Sequence, residues 1–440
     1  MNRCFDLLLT NAQVYQKGSF VLQNIGVKEG KAFFAQSEDT FNEKQDLSGF
    51  TLFPGFIDTQ VHFREPGLTH KETISTGSAA AAMGGITAFL EMPNTKPATI
   101  SSESLCEKLD IAKKTSYVHY AFFIGATADN LSELINAKNI PGCCGIKIFF
   151  GSSTGSLLLN DEEKILEIFK NCSLPIAIHS EDENILQENI EIRNQAKSVH
   201  AHYHWRSAGS ALSSTKILLR LARKAGKKIH ILHITTQEEI ELLLQNRDIA
   251  TFEVTPQHLF FSAPTAYDEL GTKVQMNPPI REEKHRKALW QAFIQNQIDV
   301  IGSDHAPHTL EEKQKAYPES PSGMPGVQTI APLLLHFAIE QKISFEYLVK
   351  VLVENPVKIY QLEGKGKIEN GFDADFTLVD LKGETLILDS TQKSQCAWTP
   401  FHNKRLKGKV KGTMIAGKWA MFDDELTLTH TSKKLTRIDQ

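Results

Sequence analysis

After residue 50 the chain alternates short apolar runs with longer stretches of helical period. Eight runs stand out: TLFPGFID (51–58), GITAFLEM (85–92), YVHYAFFIG (117–125), GIKIFF (145–150), LPIAIH (174–179), KIHILH (228–233), ATFEVT (250–255) and IDVIGS (298–303). Each has the length and composition of a buried strand. Most are separated by segments with apolar residues three and four apart, such as SLCEKLDIAKK, EEKILEIFKN, SSTKILLRLARKAG and EEIELLLQN. That spacing puts one apolar stripe along a helix. Gly226, at the end of the third segment, marks a helix stop. Eight alternations of strand and helix predict an α/β fold, a (β/α)8 TIM-type barrel over residues 51–362. The rival is a doubly wound open sheet. No glycine-rich fingerprint follows any strand, which counts against dinucleotide binding.

The flanks read differently. Residues 1–50 hold strand-like pieces, FDLLLT and FVLQNIGV, with no long helix between them. Residues 363–440 repeat that texture in GKIENGFDADFTLVDL, ETLIL and GKVKGTMIAGKWAMF. Two β-rich ends around one barrel predict a small β-sandwich-like domain built from both termini. The final HTSKKLTRIDQ is polar and is expected to be loose.

Composition changes this picture little. The 440 residues are 41% hydrophobic and 23% charged, ordinary for a soluble enzyme. A net charge of −4 gives no case for nucleic acid or an anionic membrane as partner. No apolar run is long enough to span a bilayer. The opening MNRCFDLLLTNAQVYQKG lacks a long apolar core followed by a small-residue cleavage site, so no secretory signal is expected. The six cysteines form no C-x-x-C pair, and adjacent Cys143 and Cys144 are badly placed to bridge each other. Free thiols and a cytoplasmic location are the expectation.

Chemistry in such a barrel sits at the C-terminal ends of the strands. The first run leads into Gln60 and His62, which share one side of an extended chain. The fourth carries Lys147, the fifth ends in His179, the sixth ends in His233, and the eighth is followed by Asp304. A lone histidine at a strand end is more often hydrogen-bonded structure than a ligand. Several such residues delivered to one rim are harder to dismiss, and imidazole with carboxylate suits Zn²⁺ and similar ions. Lys147 fits that company if CO₂ converts its amine to a carbamate, an anionic ligand able to bridge two metals. Arg64, two residues beyond His62, puts a guanidinium at the mouth of the site, suited to a substrate carboxylate.

These segments carry a family resemblance. PGFIDTQVHFREPGLTHKE, EMPNTKPAT, GIKIFFGSSTG, AIHSED, LHITT, QMNPPIR and GSDHAPH together resemble the dihydroorotases of the amidohydrolase superfamily, and the similarity spans nearly the whole chain. The resemblance implies one metal position formed by Gln60, His62, Lys147 and Asp304, where the family has a histidine at Gln60. It implies a second formed by Lys147, as a carbamate, with His179 and His233. It implies one or two Zn²⁺ per chain, with Gln60 putting the first position in question. It also implies that Asn94 and His308 join Arg64 on the substrate carboxylate, that Asn277 contacts the ring amide, and that Asp304 moves the catalytic proton.

The activity so implied is reversible cyclisation of N-carbamoyl-L-aspartate to (S)-dihydroorotate in pyrimidine synthesis. The alternatives are another cyclic amidohydrolase, a hydantoinase or allantoinase, and a non-catalytic partner of aspartate transcarbamoylase. A carboxylate-reading Arg64 speaks against the first alternative, and the retained Lys147, His179, His233 and Asp304 against the second. A homodimer is compatible with this reading. His200, His202 and His204 in HAHYHW, with His70, His119, His230 and His258, are expected to be structural or solvated; His305 is given no role. The loop EKQKAYPESPSGMPG (312–326) reads either as a cover over substrate or as a surface connection.

Overall fold

The computed structural model describes residues 3–153, 157–428 and 431–438. Thr154 and Gly155 of the GIKIFFGSSTG motif, and His430, Asp439 and Gln440 of the tail, lie outside the described residues. Eight parallel strands pair in chain order: Phe56–Val61, Ile86–Glu91, His119–Gly125, Cys143–Phe149, Ile176–His179, Ile229–Ile231, Ala250–Val254 and Val300–Ile301. They are buried almost throughout, which is why they read as apolar runs without clean alternation. Extra pairings across the seam close the sheet. Val61 bridges to His305 in parallel. The His62 backbone N–H donates to the His305 carbonyl at 2.7 Å. The Ser303 backbone N–H donates to Asp58 Oδ1 at 3.0 Å.

Helices between the strands are capped by the residues that the sequence supplies. Thr73, Ser101 and Thr236 each form a reciprocal capping box with the residue three positions on. The helix Ala208–Ala225 ends on Gly226 in the left-handed region at φ 66°. Inside the barrel Ala88, Leu90, Ala121, Phe123, Ala177 and Leu232 form an apolar plug, covered from the N-terminal end by Tyr360, Leu362 and Leu435. The polar residues are thereby left at the opposite, C-terminal end.

Both termini join one mixed nine-stranded sheet. The run TLFPGFID divides between the two bodies. Thr51–Pro54 pairs with Gln13 and Val14 and with Phe376–Val379 of the terminal sheet, and only from Phe56 does the chain enter the barrel. Gly55 marks the crossing, because a Cβ there would stand 2.3 Å from Thr87 Oγ1.

The tail corrects the expectation of looseness. Leu435 is buried in the barrel plug. Its N–H donates to the Tyr120 carbonyl at 2.8 Å, while the Tyr120 N–H donates to the Lys433 carbonyl at 3.2 Å. His119 Nδ1 accepts from the Lys433 N–H at 2.9 Å. A polar segment with one buried apolar residue can still dock when a strand end offers it unpaired backbone groups. Leu435→Ala is therefore expected to cost about 2–5 kcal/mol in chemical denaturation, as core leucine truncations do. A change within measurement error would mean that the tail does not help to close the barrel.

Candidate active site

The C-terminal ends of the strands surround a small polar cavity. Gln60, His62, Arg64, Asn94, Lys147, His179, His233, Asn277 and Asp304 all line it, together with Phe149 and Ser153. His308 is the one residue of the expected site that does not. The pleat explains Lys147: Ile146 and Ile148 on either side face the helices, so the residue between them faces inward. Arg64, His233 and Asp304 have φ values of 62°, 38° and 44°. Such non-glycine conformations cost about 1–3 kcal/mol each and recur where a side chain must be aimed.

Two clusters share the cavity. In the first, Gln60 Nε2 donates to Asp304 Oδ1 at 3.0 Å, and His62 Nε2 lies 3.2 Å from the same oxygen. His62 Nδ1 lies 2.6 Å from Asn94 Oδ1. Desolvation lowers the His62 pKa, partly offset by Asp304. In the second, His179 Nδ1 and His233 Nε2 face each other at 3.1 Å. Burial holds both imidazoles neutral, driving their pKa values down. Lys147 Nζ sits 4.6 Å from the Phe149 ring centre, and desolvation lowers its pKa to about 7 against the pull of Asp304 and Glu253.

The two clusters differ in fitness for a metal. Tetrahedral ligands at about 2.0–2.1 Å from zinc stand about 3.3 Å apart. The two neutral nitrogens of His179 and His233 are close to that spacing and lie beside the Lys147 amine. Among the described residues no three His, Cys, Asp or Glu side chains gather closely enough to hold an ion. A full donor set is reached only by counting Lys147, which must first become an anion. The first cluster does not fit as it stands. The amide of Gln60 turns its N–H to Asp304, the carboxylate that a metal there would share, and its Oε1 is left buried without a partner among the described residues.

Arg64 is 1% exposed and makes no ion pair among the described residues. Its Nε donates to the Pro307 carbonyl at 3.3 Å, its Nη2 lies 3.3 Å from His308 Nε2, and its Nη1 has no hydrogen-bond partner among the described residues. Desolvation brings its pKa down to about 10, leaving it charged at neutral pH. His308 stands behind it, with Nε2 3.0 Å from the Ser322 carbonyl and Nδ1 3.0 Å from Lys71 Nζ.

The support around the site was not legible residue by residue. Glu181, two positions after His179, puts Oε2 3.0 Å from His179 Nε2, close but without an aligned N–H. Arg206 Nε donates to both Glu181 oxygens, at 3.2 and 3.0 Å, and its Nη2 donates to the Ser152 carbonyl at 2.6 Å. A carboxylate at i+2 from a strand-end histidine was a usable signal for Glu181; nothing local pointed to Arg206. The loop 312–326 is pinned from beneath, because buried Lys313 donates to the carbonyls of Gln275, Pro321 and Gly323 at 3.0, 2.8 and 2.9 Å. His305 Nδ1 accepts from the Gly326 and Val327 N–H groups at 3.0 and 3.3 Å, and its Nε2 lies 3.2 Å from Glu72 Oε2. His119, His230 and His258 pair with Asp375, Thr251 and Thr255 and do not line the cavity. His70 lies out on the surface, 3.4 Å from Glu312.

Residues 51–420 match the amidohydrolase family. A dihydroorotase of Methanosphaera stadtmanae is 32% identical over 431 residues, covering 96% of this chain and 97% of its own. A dihydroorotase of Pyrococcus furiosus is 34% identical over 423 residues, covering 94% of each. Among solved structures, an L-hydantoinase (dihydropyrimidinase) from Arthrobacter aurescens superposes with a TM-score of 0.93 at 26% identity, covering 98% of this chain and 100% of that one.

Glu181→Gln would leave the Arg206 guanidinium buried without its counter-charge. Breaking one side of a buried pair costs about 3–5 kcal/mol. Denaturant unfolding should show a loss of that size, whereas Glu162→Gln, which breaks the exposed pair with Arg220, should cost less than about 1 kcal/mol. Equal losses would contradict a supporting role for Glu181.

Proposed function

The chain belongs to the amidohydrolase family, and from that premise we propose that it is a dihydroorotase, interconverting N-carbamoyl-L-aspartate and (S)-dihydroorotate in pyrimidine synthesis. It is a hydrolase of cyclic amides. The observation that carries the substrate is the buried Arg64 guanidinium in the wall of the cavity, with Nη1 unpartnered. A cation so placed suits an anionic ligand, and a guanidinium suits a carboxylate. Dihydroorotate carries that carboxylate, and a plain hydantoin does not.

The family is generally metal-dependent. In our reading His179, His233 and a carbamate on Lys147 would hold one divalent ion, Zn²⁺ by donor type. A Lys147 amine with its pKa lowered to about 7 has a large neutral fraction near neutral pH; its nitrogen lone pair can add to the carbon of CO₂ with loss of a proton. When bound, the metal supplies Lewis acidity to the substrate carbonyl and to water. The protein's own residues do the rest. Arg64 Nη1 takes the carboxylate, and Asn94 helps to set its orientation beside His62. Asp304 takes a proton from the attacking water and delivers it to the leaving ring nitrogen. Gln60 Nε2 and His62 aim that carboxylate. Ring closure runs the same proton movements in reverse. His308 contributes from behind, by fixing Arg64.

Three outcomes check this reading. Arg64→Ala should lower kcat/KM for dihydroorotate by tens- to thousands-fold, equivalent to about 2–5 kcal/mol, and should spare a cyclic amide without a carboxylate. Equal losses on both substrates would favour the hydantoinase alternative. Elemental analysis should find about one divalent ion per wild-type chain, and Gln60→His should raise that toward two. Two ions in the wild type would show that Gln60 does not close the first position. Lys147→Ala should lose activity and regain part of it with a small carboxylic acid; absence of any rescue would count against the carbamate.

A further inference from the structure

The three histidines of HAHYHW diverge in the fold. His200 faces Asp268 at 3.2 Å, and His204 is exposed. His202 is 1% exposed and packed edge-on against Trp205 and Tyr317, at ring distances of 5.9 and 5.7 Å. Its Nε2 lies 2.9 Å from the Met276 carbonyl oxygen and 3.0 Å from Asn277 Oδ1.

The first contact fixes the tautomer. A backbone carbonyl only accepts, so the nitrogen facing it must carry the proton. Desolvation, helped by Arg206, lowers the pKa of the ring to about 3, so it holds one proton and not two. That proton is on Nε2, and Nδ1 is bare, in keeping with its lack of any partner. The second contact then fixes Asn277. An N–H already aimed at this spot can be shared with an oxygen but not with an NH₂ group. Asn277 Oδ1 therefore faces His202, and its Nδ2 is turned away from the histidine. Asn277 lines the cavity.

We infer that His202 is a positioning residue that holds Asn277 with its NH₂ donors toward the bound substrate, so that this wall of the cavity reads a ring carbonyl oxygen and rejects a ring N–H. The inference rests on the proposed activity for the identity of the ring, but the polarity of Asn277 follows from the hydrogen bonds alone. It makes His202 a determinant of specificity for cyclic ureides that put a carbonyl at that place. The segment carrying Asn277 is tied to the His202 segment a second time, by Arg281 Nη1 donating to the Arg206 carbonyl.

The test uses the metal-loaded full-length enzyme. Long-range ¹⁵N–¹H spectra of the histidine side chains should give His202 the Nε2–H pattern at neutral pH. His202→Leu should raise KM for dihydroorotate about tenfold, the loss expected for one oriented hydrogen bond, with a smaller change in kcat. His202→Gln, whose amide can still donate, should recover part of that loss. The double variant His202→Leu/Asn277→Ala should be no worse than Asn277→Ala, because the histidine acts through the asparagine. An Nδ1–H pattern, an unchanged KM in folded His202→Leu, or additive losses in the double variant would each overturn the inference. Where His202→Leu does not fold, the spectra and His202→Asn decide, the shorter amide stopping near the Nδ1 position, with a wild-type KM in folded His202→Asn and an Nδ1–H pattern as the contrary results. A wild-type enzyme inactive on dihydroorotate would refute the proposed function, and the spectra would still decide the polarity of Asn277.

Discussion

The seam between the first and eighth barrel strands is the joint on which both fold and site depend. Asp58 takes the backbone N–H of Ser303, His62 gives its own to the His305 carbonyl, and Gln60 reaches across to Asp304. One of these contacts, Gln60 to Asp304, also lies in the wall of the cavity. A change at Gln60 or Asp304 thus acts on two things at once, the closure of the sheet and the aim of the carboxylate. The Gln60 amide supplies this cross-strand link through an N–H that holds Asp304.

The cavity also concentrates groups that water would otherwise hold. Arg64, Lys147, His179, His233 and Asp304 are all nearly inaccessible. Burying such groups is costly unless each has a partner, and the pairs are correspondingly specific. Glu181 is held ionised against burial chiefly by Arg206, and Lys313 hands its protons to three carbonyls. Among the described residues, two of the buried polar atoms without a partner, Arg64 Nη1 and Gln60 Oε1, belong to residues that line the cavity. Most buried polar atoms in a folded protein are satisfied, and a ligand carboxylate could supply what Arg64 Nη1 lacks.

The barrel was legible because its strands are buried on both faces and appear as apolar runs, several of them carrying or leading into a polar residue. Lys147 between two isoleucines is the clearest case. What the sequence hid depends on contacts between distant segments. Thr51–Pro54 looks continuous with the first barrel strand, yet it pairs with residues more than 300 positions away. HTSKKLTRIDQ reads as a loose tail, because one buried leucine and a few backbone pairings leave no periodic trace. Arg206 and His202 sit in a histidine-rich run that suggested nothing, and their roles come from Glu181 and Asn277 across the rim. His308 carries a motif-level signal for substrate, but the fold sets it behind Arg64 and outside the lining.

The most direct measurement is a zinc-edge anomalous map of crystals grown with N-carbamoyl-L-aspartate. The account predicts an anomalous peak between His179 and His233, none at Gln60, and the ligand carboxylate on Arg64 Nη1. A carboxylate bound elsewhere in the cavity, with Arg64 left unpaired, would contradict it.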